Sequence, residues 1–425
     1  MLDIKEIRKN PEKFKEGLKL RGEQYVKQID DILALDVERR RHLTEVEQLK
    51  NLKNDLSKQI GLFKRDGKDT NELIVESEKI TSKIEKFDEE IATIDKRIFD
   101  IIILIPNLVH KDVAFGKDEE DNVLIRTFGS IPQFDFVPKA HYELGEKLGI
   151  LDFEGASRIV GSRFTLLKKD AARLERALTC YMMDLHTIES DYVEVIPPYI
   201  VNRETMTNAG KLPKFEDDAF KFYSNQDWFL NSTAEIPLIG YFSNQVLQEA
   251  DLPINIAGYT TAFRKEAGSA GRDTRGMLRQ HQFKKVELFK VASPDNSYEQ
   301  LEEMVKQSEK VLQGLNIPYR VVSLCTGDLG ETSTKTYDIE VWLPSQEKYR
   351  EIASISNTET YQSMRANVKF KRENSKKLEY VHLLNGSGVA VGRCMIAIME
   401  NYQNEDGSIT VPEVLIPYMK KNIIK

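Results

Sequence analysis

Phe263-Arg264-Lys265-Glu266-Ala267-Gly268-Ser269-Ala270-Gly271-Arg272-Asp273-Thr274-Arg275-Gly276-Met277-Leu278-Arg279-Gln280-His281-Gln282-Phe283 sets five Lys or Arg residues and three glycines between two strand-like runs, Tyr259 to Arg264 and Gln282 to Val291. An arginine on a strand is held rigidly, whereas arginines in a glycine-rich loop can follow a large anion, and the guanidinium fork matches phosphate oxygens. The stretch therefore reads as a phosphate-binding device carried between two strands. It is not a P-loop, because no GxxxxGK[ST] occurs in the chain, and no GxGxxG dinucleotide loop occurs either.

Outward from this stretch, further strand-like runs lie at Tyr319 to Leu324, Thr336 to Leu343 and Lys348 to Ile355, many following one another without an intervening helix. That order favours a largely antiparallel sheet with flanking helices, an α+β domain. Upstream, Arg173 to Ile188 has a helical pattern, and Asp191 to Ile196 is an alternating strand stopped by Pro197-Pro198. Pro106 ends a long helical region, and from Asn107 the texture turns to shorter runs with Gly, Pro and aromatic residues. The domain boundary is placed there, giving 1–106 and 107–425.

In the first domain Asn10-Pro11 is a cap and first-turn pair for a short helix. Leu73, Ile80, Ile84, Phe87, Ile91, Ile94, Ile98, Ile101 and Ile105 then recur at three and four residues, interrupted by Ser77, in the rhythm of a coiled-coil seam. Leu35, Val46, Leu49, Leu56, Ile60 and Phe63 form a looser partner seam, with Arg39, His42 and Lys53 at its remaining positions. The polar turn Arg65-Asp66-Gly67-Lys68-Asp69 between them folds the two helices back antiparallel, as an arm over about 30–104. A first helix from Ile32 to Lys64 would project on the order of 50 Å. Lys50, Lys58, Lys64, Arg65 and Lys68 on its outer half are available to phosphates, but a solvated coiled coil used for dimerisation fits the same residues.

Composition narrows the classes. At 425 residues and a formal charge of -7, the chain is enzyme-sized and not a wholesale nucleic-acid wrapper, so any nucleic-acid site is a local basic patch. The longest apolar run, Ile101 to Pro106, is far short of the roughly 20 residues that span a bilayer. The start Met1-Leu2-Asp3-Ile4-Lys5-Glu6 mixes acids and bases, which points to a cytoplasmic protein. Cys180, Cys325 and Cys394 are too scattered for a disulfide framework or a zinc site and are expected as reduced, buried thiols.

The quoted stretch closely resembles the second signature motif of class II aminoacyl-tRNA synthetases, in the form used by seryl-tRNA synthetases. Asn231-Ser232-Thr233-Ala234-Glu235-Ile236-Pro237-Leu238 resembles that family's Thr-x-Glu segment, and Leu384-Asn385-Gly386-Ser387-Gly388-Val389-Ala390-Val391-Gly392-Arg393 its third motif. The helix and strand ending at Pro197-Pro198 look like the first motif, which builds the dimer interface in this class, and the hairpin looks like the tRNA-binding arm. The resemblance implies a class II synthetase-like antiparallel sheet, a homodimer, ATP with Mg2+, L-serine, and serine tRNA as partners, with selenocysteine tRNA where the host has one. It implies that Arg264 clamps the α-phosphate, Glu266 accepts from the adenine amino group, Phe283 stacks on adenine and Arg393 holds the γ-phosphate, with Lys265 inside the same ATP segment. Glu351, Ile352, Ala353 and Ser354 match the ATP and magnesium segment, Glu351 and Ser354 being the metal oxygens. Thr233, Ala234, Glu235, Glu287 and Ser387 match the serine-binding positions, Glu235 suiting the substrate ammonium and Glu287 its hydroxyl. Arg272 and Arg275 in the loop join the arm cations as tRNA contacts. The chain departs from the family pattern at Ala353 and Ile355, where Ser and Cys are usual, and at Thr332-Ser333-Thr334, where Ser-Ala-Ala is commoner.

His281 stands in this stretch as a candidate general base, but a carboxylate nucleophile is already ionised at neutral pH and needs none. Two other classes share parts of the pattern. An aminoacyl ligase for a carrier protein would keep the adenylation site and lack the long arm, and a catalytically inactive tRNA-binding scaffold would keep the arm and lose Arg264 and Arg393.

Overall fold

The computed structural model describes residues 1–267, 273 and 275–425, and the chain divides into two compact units, Met1–Pro106 and Asn107–Lys425. The first unit is helical: α1 (Ile4–Lys9), α2 (Pro11–Lys19), α3 (Glu23–Arg65) and α4 (Asn71–Ile102). Asp3 caps α1 by accepting from Lys5 N at 2.7 Å, and Pro11 opens α2, where its missing N–H leaves no hydrogen bond unmade. The helix expected from Ile32 begins at Glu23, because Ile29 and Ile32 are fully buried and extend the apolar stripe upstream. Its 43 residues rise about 64 Å.

Val46 and Leu56 of α3 meet Ile80, Ile84 and Ile91 of α4 along the expected seam. Two polar seam members find partners across it. Arg39 pairs with Asp95, and His42 Nδ1 lies 3.0 Å from Glu90 while its ring sits edge-on to Phe87. Gly67 takes φ +70° in the connecting turn, the left-handed conformation expected there. At the far end the stripe steps from Ile101, only partly buried, to Ile102, because a 3.6-residue helix drifts against a heptad pattern.

Among the described residues of the second unit, an eight-stranded sheet carries the fold: β1 (Val123–Phe128), β2 (Val193–Val195), β3 (Ile254–Phe263), β4 (Gln282–Ala292), β5 (Tyr319–Ser323), β6 (Lys335–Leu343), β7 (Lys348–Asn357) and β8 (His382–Ala390). Its spatial order is β1-β5-β6-β7-β8-β4-β3-β2, antiparallel at every pairing except β2 with β3. The helices that matter for the site are α5 (Lys169–Ile188), α6 (Glu235–Phe242), α7 (Ser297–Gly314), α8 (Thr360–Ala366) and α9 (Val391–Asn401).

Strand alternation divides the sheet into two faces. Tyr337, Ile339, Val341 and Leu343 of β6, Val286 and Leu288 of β4, and Leu384 of β8 form one continuous core with α5, α7 and α9. Towards the other end of β4, Phe289 and Val291 join Ile236, Leu238 and Ile239 of α6 and Ala366 of α8 in a second core. The α+β expectation therefore holds. Cys325 and Cys394 are buried as expected, but Cys180 is exposed, because α5 turns Ala177, Leu178 and Tyr181 inward and leaves that position outside. No helix of the described residues is long and apolar enough to cross a membrane.

Candidate active site

The sheet face not covered by α5, α7 and α9 holds a cavity of about 340 Å³, with Arg264 just past the end of β3 and Arg393 in the first turn of α9 at its walls. Phe283, Lys285 and Glu287 point into it from alternate positions of β4, and Asn385 and Ser387 from β8. The glycines between them serve the opposite face. A Cβ on Gly388 would meet His186 Nε2 at 2.7 Å, and one on Gly386 would meet Ile355 Cγ1 at 2.8 Å, so helix and strand approach closely only because these positions are bare.

On β7 a regular ladder would turn Glu351 and Ser354 to opposite faces, being three residues apart. A bulge prevents this: Ile339 pairs with Ala353 but Glu340 with Glu351, leaving Ile352 as the extra residue. Glu351 thereby joins Ser354 on the cavity wall, while Ala353 and Ile355 turn into the helix-side core.

One end of the cavity is acidic, its carboxylates held by hydrogen bonds and ion pairs. Thr233 Oγ1 donates to Glu287 Oε2 at 2.8 Å, and Lys285 forms an ion pair with the same carboxylate. Glu235 is buried, accepts from Gln362 Nε2 at 2.6 Å and lies 3.5 Å from Lys211 Nζ. The outer end is cationic. Arg264 donates Nε–H to Ser232 O at 3.2 Å and lies over the Phe283 ring at 5.1 Å, while Glu266 meets Arg279 at 3.4 Å. Arg393 Nη1 donates to Glu351 O at 2.7 Å and lies 3.2 Å from its carboxylate. That guanidinium, against the cost of burial, holds the Glu351 carboxyl below its ordinary range. Asp338, beside Ser354 on β6, is driven the other way, first by burial and then by the Glu351 charge.

Thr233, Glu235, Glu287 and Ser387, together with Arg264, Glu266, Phe283, Glu351, Ile352, Ser354 and Arg393, all line this one cavity. Three residues matched to the ATP or serine segments do not line it. Ala234 packs its methyl into the second core, Lys265 alternates outward into solvent between Arg264 and Glu266, and Ala353 faces the helices. His281 braces the strand end instead, its Nδ1 lying 3.0 Å from Arg264 O. Arg275 lies over the Tyr142 ring at 4.6 Å, in a separate groove with Glu146 and Arg163. Arg272 lies outside the described residues. On the arm Lys50, Lys58, Lys64, Arg65 and Lys68 are all exposed, Lys58 meeting Asp55 at 3.1 Å and Lys68 lying over Phe63 at 5.2 Å.

Sequence reasoning missed Lys285, Lys211, Gln362 and Asp338. The two-residue period from Phe283 to Glu287 was the available signal for Lys285. Nothing local marks Gln362, which reaches Glu235 across 127 positions of chain. A further buried brace also went unseen: His141 Nε2 accepts from Met277 N at 3.0 Å while its Nδ1 meets Glu400 at 2.9 Å, pinning the loop beside the cavity to α9.

Comparison with known proteins converges on one family. Residues 1–109 match the Seryl-tRNA synthetase N-terminal domain, and residues 219–402 the tRNA synthetase class II core domain (G, H, P, S and T). The chain is 52% identical to the serine--tRNA ligase of Clostridium tetani over the whole of both chains, and 51% identical to that of Carboxydothermus hydrogenoformans over 99% of this chain and 98% of the relative. Among solved structures, it superposes on a seryl-tRNA synthetase from Pyrococcus horikoshii complexed with ATP at TM-score 0.93, with 39% identity, covering 100% of this chain and 99% of that one. A cytoplasmic serine-tRNA ligase from Naegleria fowleri in complex with AMP gives TM-score 0.88 and 30% identity, covering 98% and 96%. A cationic cavity on an antiparallel sheet, full-length identity of this order and matched domains at both ends place the chain in the seryl-tRNA synthetase family of class II.

Proposed function

We propose that this chain activates L-serine with ATP, releasing pyrophosphate, and transfers the seryl group from the adenylate to the 3'-terminal adenosine of serine tRNA. One observation carries the reading: a single cavity joins a buried Thr233, Glu235 and Glu287 cluster, suited to an ammonium and a hydroxyl, to Arg264 and Arg393, suited to phosphates. In this reading adenine lies against Phe283 with its amino group on Glu266, and Arg264 and Arg393 offset charge on the triphosphate. Serine presents its ammonium to Glu235 and its hydroxyl to Glu287 and Ser387. Its carboxylate attacks the α-phosphorus in line, so positioning and charge neutralisation supply the rate without a general base. The buried acids suit such partners, since an alanine would leave Glu287 without the hydroxyl it is built to meet.

The donor set fits a magnesium ion. Glu351, Ser354 and Asp338 supply hard oxygens on one face, and Asp338 Oδ1 is a buried oxygen with no hydrogen-bond partner among the described residues. Bound there, the ion would draw charge from the phosphate oxygens. The arm cations are assigned to serine tRNA, and to selenocysteine tRNA where the host makes one. The end of α5, the edge strand β2 and the residue just past it expose Ile188, Val193 and Ile196, which supports a homodimer paired across that edge. Pyrophosphate exchange with each amino acid, with and without tRNA, tests the reading. Serine-dependent exchange without tRNA is expected, and better exchange with threonine, alanine or glycine would refute it.

A further inference from the structure

We propose that Lys285 is a catalytic residue of adenylate formation, its ammonium moving from Glu287 onto the serine carboxylate and the α-phosphate as they join. The proposal rests on the reading of Phe283 and Glu287 given above. Phe283, Lys285 and Glu287 are successive members of one face of β4, about 6.6 Å apart at each step. If Phe283 lies under adenine and Glu287 under the serine hydroxyl, Lys285 lies under what connects them, the α-phosphate and the serine carboxylate. The register agrees. Lys285 sits opposite Ala390 of β8, next to the irregularity that launches α9 and Arg393, whereas Glu287 sits opposite Ser387.

Lysine is rarely buried without a purpose. Lys285 is 8% exposed, and its ion pair is with Glu287, which already has a hydrogen bond from Thr233. A neutral serine hydroxyl arriving at Glu287 shares a carboxylate whose Oε2 already carries both of these contacts. The lysine stem is flexible, and the nearest new anions are the serine carboxylate and the α-phosphate. The reaction brings a carboxylate onto a polyanion: a carboxylate oxygen bonds the α-phosphorus, the bond from that phosphorus to the bridging oxygen of the β-phosphate breaks, and pyrophosphate leaves with the electron pair. No proton moves, so Lys285 stays an ammonium throughout. Its part is electrostatic, on the oxygens that gather charge in the transition state.

The rival explanation is that Lys285 only neutralises Glu287. Three variants separate the two: Lys285→Met, Glu287→Gln, and the double variant, which loses one charge of each sign and so folds even if Lys285→Met leaves Glu287 buried and unpaired. In serine-dependent pyrophosphate exchange, Lys285→Met is expected to lower kcat about 10²-fold while leaving KM for ATP within about threefold. The double variant should stay at least about tenfold slower than Glu287→Gln, and Lys285→Arg should recover part of the loss. A double variant as fast as Glu287→Gln, or an unchanged kcat in Lys285→Met, overturns the proposal. Should the parent enzyme prefer another amino acid, the functional reading fails instead, and the same comparison run with that amino acid still decides the role of Lys285.

Discussion

Acid should weaken this fold through one residue, His186. The side chain lies in α5 with no exposed surface, and its Nε2 is 2.9 Å from Gly388 O, in the strand that leads to Arg393. Burial brings the imidazole down to about 4, the Gly388 hydrogen bond opposing and the Lys310 charge assisting. An unfolded histidine titrates near 6.5. Between those values the unfolded chain carries a proton that the folded chain does not, so stability falls as pH falls through the window and is fully present above it. The gap amounts to roughly 3 kcal/mol, a large share of the 5–15 kcal/mol by which domains are stable. His186→Gln keeps an N–H for Gly388 O and removes the titration. Urea unfolding of both proteins from pH 8 to pH 4 should give a stability difference that is level above about 6.5 and moves by about 3 kcal/mol against the parent below it. A difference that stays level to pH 4 would show that His186 is charged in the fold, and the account of how α5 packs on β8 would be wrong.

Arg264→Ala should abolish adenylate formation, a loss of at least about 10² to 10³ in kcat, with far-UV circular dichroism unchanged, since the guanidinium's part in the fold is one bond to Ser232 O, the Phe283 ring beneath it and an attraction to the Glu351 carboxylate secondary to that of Arg393. Glu287→Ala should lose discrimination between serine and alanine more than it loses ATP binding. It should also cost about 3–5 kcal/mol in unfolding experiments, because Lys285 is left buried without its carboxylate. Replacing Ile32 to Ile101 by a short Gly-Ser linker should leave serine-dependent exchange near normal while tRNA charging collapses. For every phosphate that Lys50, Lys58, Lys64, Arg65 or Lys68 no longer neutralises, the salt dependence of tRNA binding should flatten by nearly one unit of log slope. Equal loss of both activities would make the arm a support for folding or dimerisation.

What the sequence made legible was whatever obeys a period. The arm seam follows from its heptads, and β3, β4, β6 and β7 from their strand-like runs, with strand ends displaced by a few residues by the β-ladder and the start of α3 moved from Ile32 to Glu23 by the burial of Ile29 and Ile32. The cationic end of the cavity was legible because its arginines are clustered along the chain. The acidic end was legible only as separate acids. The partner of Glu235, Gln362, depends on which helix packs against which across 127 positions of chain, and no local pattern encodes that, whereas Lys285 beside Glu287 lay within the two-residue period of β4 itself. Ala234, Lys265 and Ala353 show the complement, because neighbours within one motif need not share a direction: Ala353 alternates away from the cavity on β7, Lys265 is exposed past the end of β3, and Ala234 turns into the second core just before α6.

The bulge in β7 also accounts for the departures from the family pattern at 353 and 355. On a regular ladder side chains at 353 and 355 would share the face of Glu351, and replacing Ser and Cys there would then alter the site. With Ile352 as the extra residue of the bulge, Glu351 and Ser354 share the cavity face, and Ala353 and Ile355, neither with any exposed surface, fall on the other. At 355 the constraint is packing. A Cβ on Gly386 would come within 2.8 to 3.0 Å of three Ile355 carbons, so the isoleucine fills room that the glycine leaves. A larger, apolar residue suits that position and a polar one is not needed. The substitutions therefore change what packs beneath the site while leaving the cavity oxygens of Glu351 and Ser354 where they are.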